Sequence, residues 1–160
     1  MKAIIIGSSL SGKTTLIKYL RVQNSTLHLK EMDELLAQEN NDFFPTDIEQ
    51  KNKLAQIIIH KILDENEIIF FTNTDYFTLT DLKIAKEKGF KIFQLVLGIE
   101  ELQKRNADRI KNNGYEDQSQ WFDGMLRYQK EIKDVGLIDE ELDANLSTAL
   151  LATNFLSIIK

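Results

Sequence analysis

Gly7-Ser8-Ser9-Leu10-Ser11-Gly12-Lys13-Thr14 fits G-x-x-x-x-G-K-[ST] at every fixed position, and the flanking residues give that pattern physical meaning. Ahead of it, Lys2-Ala3-Ile4-Ile5-Ile6 is a short apolar run rich in β-branched residues, which predicts a buried strand. Behind it, Thr14-Thr15-Leu16-Ile17-Lys18-Tyr19-Leu20 carries apolar side chains at helical spacing. Strand, glycine-bounded loop and helix in that order turn successive backbone N–H groups inward around phosphate oxygens, and the helix adds the positive end of its dipole. Gly7 and Gly12 allow conformations and close approaches that a Cβ would block. Lys13 is expected to reach the β- and γ-phosphates and the Thr14 hydroxyl to ligate Mg²⁺. The loop Gly7, Ser8, Ser9, Leu10, Ser11, Gly12, Lys13, Thr14 and Thr15 is therefore the candidate site for a nucleoside triphosphate.

Beyond the loop, apolar runs alternate with helical stretches, the pattern of a parallel α/β sheet. Strands are expected at Lys2–Ile6, Thr26–Lys30, Glu67–Thr72, Phe90–Leu97 and Glu141–Asp143. The fourth is almost continuously apolar and so should be buried on both faces. A short helix should begin at Asp33, and Thr46-Asp47-Ile48-Glu49 has capping-box form for a long helix to about Asp64. Thr78-Leu79-Thr80-Asp81 has the same form for a helix ending at Gly89. Helices are further expected from Ile99 to about Lys111 and from Asp117 to Val135. Ser147 should cap a closing helix whose apolar face is Leu150, Leu151, Phe155, Leu156 and Ile159.

The chain has 160 residues, 42% hydrophobic and 28% charged, the profile of one soluble domain. No apolar run approaches the length of a membrane span. Having no cysteine, the chain has no disulfide, zinc ribbon or thiol catalysis, and a cytoplasmic setting is expected. A net charge of −5 gives no general attraction to nucleic acid. Its four arginines are Arg21, Arg105, Arg109 and Arg127, so the stretch between Arg21 and Arg105 lacks the planar fork suited to bidentate phosphate binding.

In open parallel sheets ligands sit at the carboxyl ends of the strands. After the second strand, Glu31-Met32-Asp33-Glu34 places Asp33 where it could accept a proton from an acceptor hydroxyl, or simply cap the short helix. After the third strand the first acid is Asp75, because Thr72-Asn73 stands where a Walker B strand ends in a metal-holding acid. Either Asp75 substitutes from the loop or Asp33 completes the metal shell with Thr14; Asp75 could equally be a turn residue. Past the fourth strand, Arg105 and Arg109 lie four apart on one helical face, able to cover a base and clamp phosphate oxygens. Arg105 could instead pair with Glu101, and Arg127 is a weaker candidate. Gly114 and the polar stretch 111–120 fit a hinged lid, of about 111–127, that would exclude water, or an ordinary turn between helices. His28 and His60 read as structural, and Trp121 as core. Phe43, Phe44, Tyr76 and Phe77 fall in loops near the expected acceptor side.

These residues resemble the small P-loop kinases, the group of adenylate, shikimate and polynucleotide kinases. Glu31-Met32-Asp33-Glu34-Leu35 is similar to the strand-two acid segment of shikimate kinases, which implies that Asp33 handles the acceptor hydroxyl. Arg105-Asn106-Ala107-Asp108-Arg109 looks like the R-x-x-x-R at the lid of adenylate kinases, implying adenine stacking for Arg105 and phosphate contact for Arg109. Asp143-Ala144-Asn145-Leu146-Ser147 resembles the last loop of such kinases, where backbone meets the adenine edge, so Asn145 joins the cofactor-binding set.

The resemblance implies a three-layer α/β/α P-loop NTPase fold with a five-stranded parallel sheet and a small helical lid, in one domain over residues 1–160. It also implies an ATP- and Mg²⁺-dependent kinase acting on a hydroxyl of a small-molecule or nucleoside-like acceptor. Lys13, Asp33, Arg105 and Arg109 are then catalytic, and Thr14, Asp33 and Asp75 are the metal candidates. The stretch from Thr72-Asn73 to Lys104-Arg105-Asn106 is also similar to 5′-hydroxyl polynucleotide kinases. Those usually follow the strand-two acid with an arginine, which Asp33-Glu34-Leu35-Leu36 lacks. The missing arginines and the acidic balance count against that substrate class and against a strongly anionic acceptor, although Lys30, Lys51 or Lys53 could partly replace the forks. The irregular Walker B end keeps a third reading, a nucleotide-binding regulator or weak ATPase without an acceptor.

Overall fold

Residues Lys2–Gly7 form the middle strand, β1, of a five-stranded sheet in the computed structural model, which describes residues 1–24 and 26–159. The other strands are β2 (Leu29–Glu31), β3 (Ile68–Asn73), β4 (Lys91–Val96) and β5 (Glu140–Asp143), in the order β2-β3-β1-β4-β5. All four pairings are parallel. Alternation along β1 explains its central place: Ala3 and Ile5 enter one apolar cluster, Ile4 and Ile6 the other.

Helices cover both faces. On one side α1 (Lys13–Gln23) and α7 (Thr148–Ile159) contribute Leu16, Leu20, Leu151 and Phe155, packed with Phe71 and Phe93. On the other, α2 (Met32–Glu39), α3 (Ile48–Leu63) and α4 (Leu79–Glu87) contribute Met32, Ile59, Leu82 and Ala85, packed with Phe70 and Ile92. Two further helices, α5 (Ile99–Asn113) and α6 (Phe122–Asp134), follow β4. Phe122 of α6 packs on the first side and Ile132 on the second, so α6 spans both cores. This is the expected three-layer α/β/α fold with a parallel sheet. No helix among the described residues is long and apolar enough to cross a membrane.

Several boundaries differ from the sequence-based expectation. The second strand covers only Leu29–Glu31, because an edge strand pairing with β3 alone keeps three register pairs; Thr26 lies in a turn. Helix α2 then starts at Met32 with Glu31 at its N-cap, so Asp33 does not cap it. For α3 the capping residue is Asp47, not Thr46, since Asp47 Oδ1 accepts from Gln50 N at 2.7 Å. The capping box at Thr78 and Asp81 forms as expected. Helix α6 starts five residues later than Asp117, after a 3₁₀ turn at Ser119–Trp121. The Asp117 carboxylate holds Ser119 N and Asn106 Nδ2 there, which favours a turn over a continuing helix. On α7, Leu150 faces solvent and Ala152 takes its place in the core. Trp121 is 57% exposed and not core, while Phe77, expected in a loop near the acceptor, is buried at 1% against Phe70. His28 and His60 are both on the surface.

Candidate active site

Parallel pairing brings the carboxyl ends of the strands to one edge, with Gly7 in register with Asn73 and Leu95. The chain leaves β1 there and loops into α1. At Gly7 a Cβ would collide with Ser11 Oγ and press on Leu95, and Gly12 adopts φ 90°, so both glycines are required by the backbone path. Leu10 also has positive φ, 67°, a conformation that costs a branched residue of order 1–2 kcal/mol. Arg105 Nη1 donates to the Leu10 carbonyl at 3.0 Å and so holds this strained turn.

Lys13 lies back along the loop, its Nζ donating to Gly7 O at 2.9 Å and Ser8 O at 2.8 Å. Burial lowers its pKa to about 8, against the opposing pull of Asp33, Glu31 and Asp75. The hydroxyls of Ser8 and Ser11 are buried in the same loop without a partner among the described residues, leaving donor capacity for a ligand.

Next to the loop, the Thr14 hydroxyl donates to Glu31 Oε1 at 2.9 Å. Glu31 is buried, and that burial raises its carboxyl above the ordinary value, with Thr14 and Lys13 pulling the other way. Glu31 was not singled out in the sequence, although its parity with inward-facing Leu29 marks it as turned inward at a strand end. Asp33 and Asp75 make no hydrogen bond or ion pair among the described residues. Partial desolvation raises Asp33; Lys13 and Lys51 oppose and Asp75 adds to the rise. Its side chain stays open to solvent. Glu34, by contrast, is spent on Arg21, whose two Nη atoms approach its oxygens at 2.7 and 2.6 Å. Lys51 Nζ stands 5.9 Å from the centre of the Tyr76 ring.

Opposite the loop, Arg105 bridges two backbone segments: Nη1 to Leu10 O and Nη2 to Ala144 O, both at 3.0 Å, while Nε donates to Glu101 at 3.1 Å. A cavity of about 400 Å³ opens between Leu10, Lys13, Thr14, Thr15, Arg105 and Arg109. A second, of about 120 Å³, runs from Gly12 and Thr15 past Arg105 to Ala144, Leu146 and Thr148. The structure thus brings together the phosphate loop, Arg105 and Arg109. The loop after β5 contributes Ala144 and Leu146 to the cavity wall, while Asn145 turns back on Asp143, its N and Nδ2 donating to Asp143 Oδ1. Arg127 is exposed on α6.

This backbone arrangement has close counterparts among solved structures. The shikimate kinase of Aquifex aeolicus matches with a TM-score of 0.73 and 17% identity, over 99% of this chain and 96% of that one. The shikimate kinase of Acinetobacter baumannii, in complex with shikimate, matches with a TM-score of 0.74 and 15% identity, over 99% and 93%. A gluconokinase of Sinorhizobium meliloti gives a TM-score of 0.64 and 14% identity, over 98% and 90%. The fold is that of the small P-loop kinases. No protein-family model and no curated protein sequence matches the chain. What the P-loop kinase fold supplies here is the frame; the side chains at the strand ends are this chain's own.

Proposed function

We propose that the protein is a kinase that moves the γ-phosphoryl group of ATP to a hydroxyl of a small, uncharged or weakly charged acceptor. The observation that carries this reading is the convergence on one cavity of Lys13, Arg105 and Arg109 with the glycine-bounded loop at the start of α1. Lys13 and Arg109 would neutralise the β- and γ-phosphates. Arg105, lining both cavities, would lie against the base, with the Ala144–Leu146 backbone at its edge. Asp33 would hold the acceptor hydroxyl in line and take its proton as the acceptor oxygen bonds to Pγ. The Pγ–O bond to the departing diphosphate then breaks and its electron pair leaves with that oxygen. A carboxyl raised above its ordinary pKa is a better proton acceptor than an unperturbed one.

Magnesium fits this site through hard oxygen donors. The Thr14 hydroxyl and Glu31 Oε1 lie 2.9 Å apart beside the loop, oxygen donors of the kind that suits an ion that keeps several waters and leans on phosphate oxygens. We assign its protein contacts to Thr14 and Glu31, with Asp75 as an outer acid, which frees Asp33 for the acceptor. When bound, the ion would neutralise charge between the β- and γ-phosphates.

The charge of the acceptor side supports an uncharged or weakly charged acceptor. Asp33 and Asp75 are close enough to repel, Lys51 is the one cation besides the loop's Lys13 that offsets Asp33, and no arginine falls between Arg21 and Arg105. The test is transfer of labelled γ-phosphate to a panel of neutral polyols, nucleosides, hydroxy acids and 5′-hydroxyl oligonucleotides. Transfer to a neutral member, lost in Asp33→Asn while ATP still binds, is expected. Transfer confined to hydroxy acids or oligonucleotides would contradict the acceptor assignment, and labelled phosphate released only to water would contradict the kinase.

A further inference from the structure

Arg109 is half-buried on α5 at the wall of the larger cavity, and its guanidinium carbon lies 3.8 Å from the centre of the Tyr115 ring. Tyr115 is not on a helix. It follows Gly114, which ends α5 in the left-handed conformation at φ 64° and turns the chain back toward the helix it has just left. Two contacts then fasten that returning segment to α5. The buried Asn106 donates through Nδ2 to Asp117 Oδ1 at 2.7 Å and accepts from Gln118 N at 3.0 Å. Asp117 in turn accepts from Ser119 N at 2.8 Å. The segment that bears Tyr115 is therefore pinned on both sides, by the Gly114 turn and by the Asn106 bridge. Tyr115 is 52% exposed and belongs to neither core cluster.

From this we propose that Tyr115 is a positioning residue for Arg109. It holds the guanidinium against an aromatic face at the mouth of the phosphate cavity and so prepares it to bind the triphosphate. The chemistry of the contact favours this role. A guanidinium that meets a ring at this distance keeps its N–H donors unspent, since the ring accepts through its π face and not through a lone pair. Arg105, one turn earlier, spends its donors on Leu10 O, Ala144 O and Glu101. Arg109 has no hydrogen-bond partner among the described residues, so it is the arginine of the pair whose fork is ready for phosphate. A long side chain left loose would lose rotamer freedom when it grips a ligand; stacking removes part of that freedom beforehand.

The inference rests on the nucleotide-binding reading given above. Its test is calorimetric titration of magnesium and ATP into wild type, Tyr115→Phe, Tyr115→Leu, Tyr115→Ala, Arg109→Ala and the double variant Tyr115→Ala with Arg109→Ala, with thermal melting to confirm folding. Tyr115→Phe is expected to match wild type. Tyr115→Leu and Tyr115→Ala should each weaken ATP binding about two- to fivefold, the size of an exposed cation–π contact. In the Arg109→Ala background Tyr115→Ala should have no further effect, because the ring acts only through the guanidinium. If Tyr115→Ala binds ATP as wild type does, or if its effect persists without Arg109, the positioning role is overturned while ATP binding itself stands. If wild type binds no ATP, the nucleotide reading fails and takes this one with it.

Discussion

The charge state of Lys13 ties the phosphate loop to pH. In the protein without nucleotide, burial brings this ammonium to a pKa of about 8; phosphates beside it would raise that value again. Binding therefore takes up a proton once the pH exceeds about 8. ATP affinity should be flat below that pH and fall above it, by up to about tenfold per pH unit. Titrations in buffers of different ionisation enthalpy would detect the proton uptake directly. Glu31 offers a second residue-scale prediction. Glu31→Gln keeps the contact with Thr14 but removes a charge, so the magnesium needed for half-maximal turnover should rise about tenfold or more, while magnesium-free ATP binding changes little. Equal magnesium requirements in the two proteins would remove Glu31 from the metal shell.

Helix α6 is the element that joins the two sides of the cleft. Tyr128 donates to Phe77 O at 2.6 Å, and the buried Gln129 donates to Thr74 Oγ1 at 3.2 Å and more weakly to Leu95 O at 3.4 Å. These bonds fix the loop after β3, which carries Asp75 and Tyr76, to the end of β4. Gln129→Leu would leave the Thr74 hydroxyl and the Leu95 carbonyl without that partner and should destabilise the protein by about 1–3 kcal/mol, read by urea denaturation. At α3, Asp47→Ala should cost about 1 kcal/mol through loss of the N-cap bond to Gln50, whereas Thr46→Ala should be nearly silent. Elements were readable in the sequence wherever a local rule governs them. The box at Thr78 and Asp81 and the buried apolar run of β1 form as their residues dictate. The errors lie where long-range partners decide: β2 is cut to three residues by having one neighbour, and Asn106 draws Asp117 into a turn instead of a helix. Glu31 was overlooked for the same reason, because its meaning comes from Thr14, seventeen positions earlier.

At the scale of the whole molecule, parallel strands gather the ends of β1, β2, β3, β4 and β5 at one edge, and the chemistry follows from what each end carries. The strand, loop and helix around Gly7 and Gly12 were legible because their geometry is written in contiguous residues. Arg105 and Arg109 were legible because a helical spacing of four places them together. The loop after β5 was legible as a wall of the cavity, where Ala144 and Leu146 lie, but not which of its side chains turns away: Asn145 folds onto Asp143. A fold shared with shikimate kinase and gluconokinase does not by itself specify the acceptor, since the frame does not dictate the residues at its strand ends. The chemistry proposed for the protein requires the loop from Gly7 to Thr14 to hold a triphosphate through Lys13, and isothermal titration of magnesium and ATP into wild type and Lys13→Ala tests that most directly. Saturable binding by the wild type, lost or weakened at least a hundredfold in a folded Lys13→Ala, is the predicted result; equal affinity in both proteins, or no heat of binding in either, would contradict it.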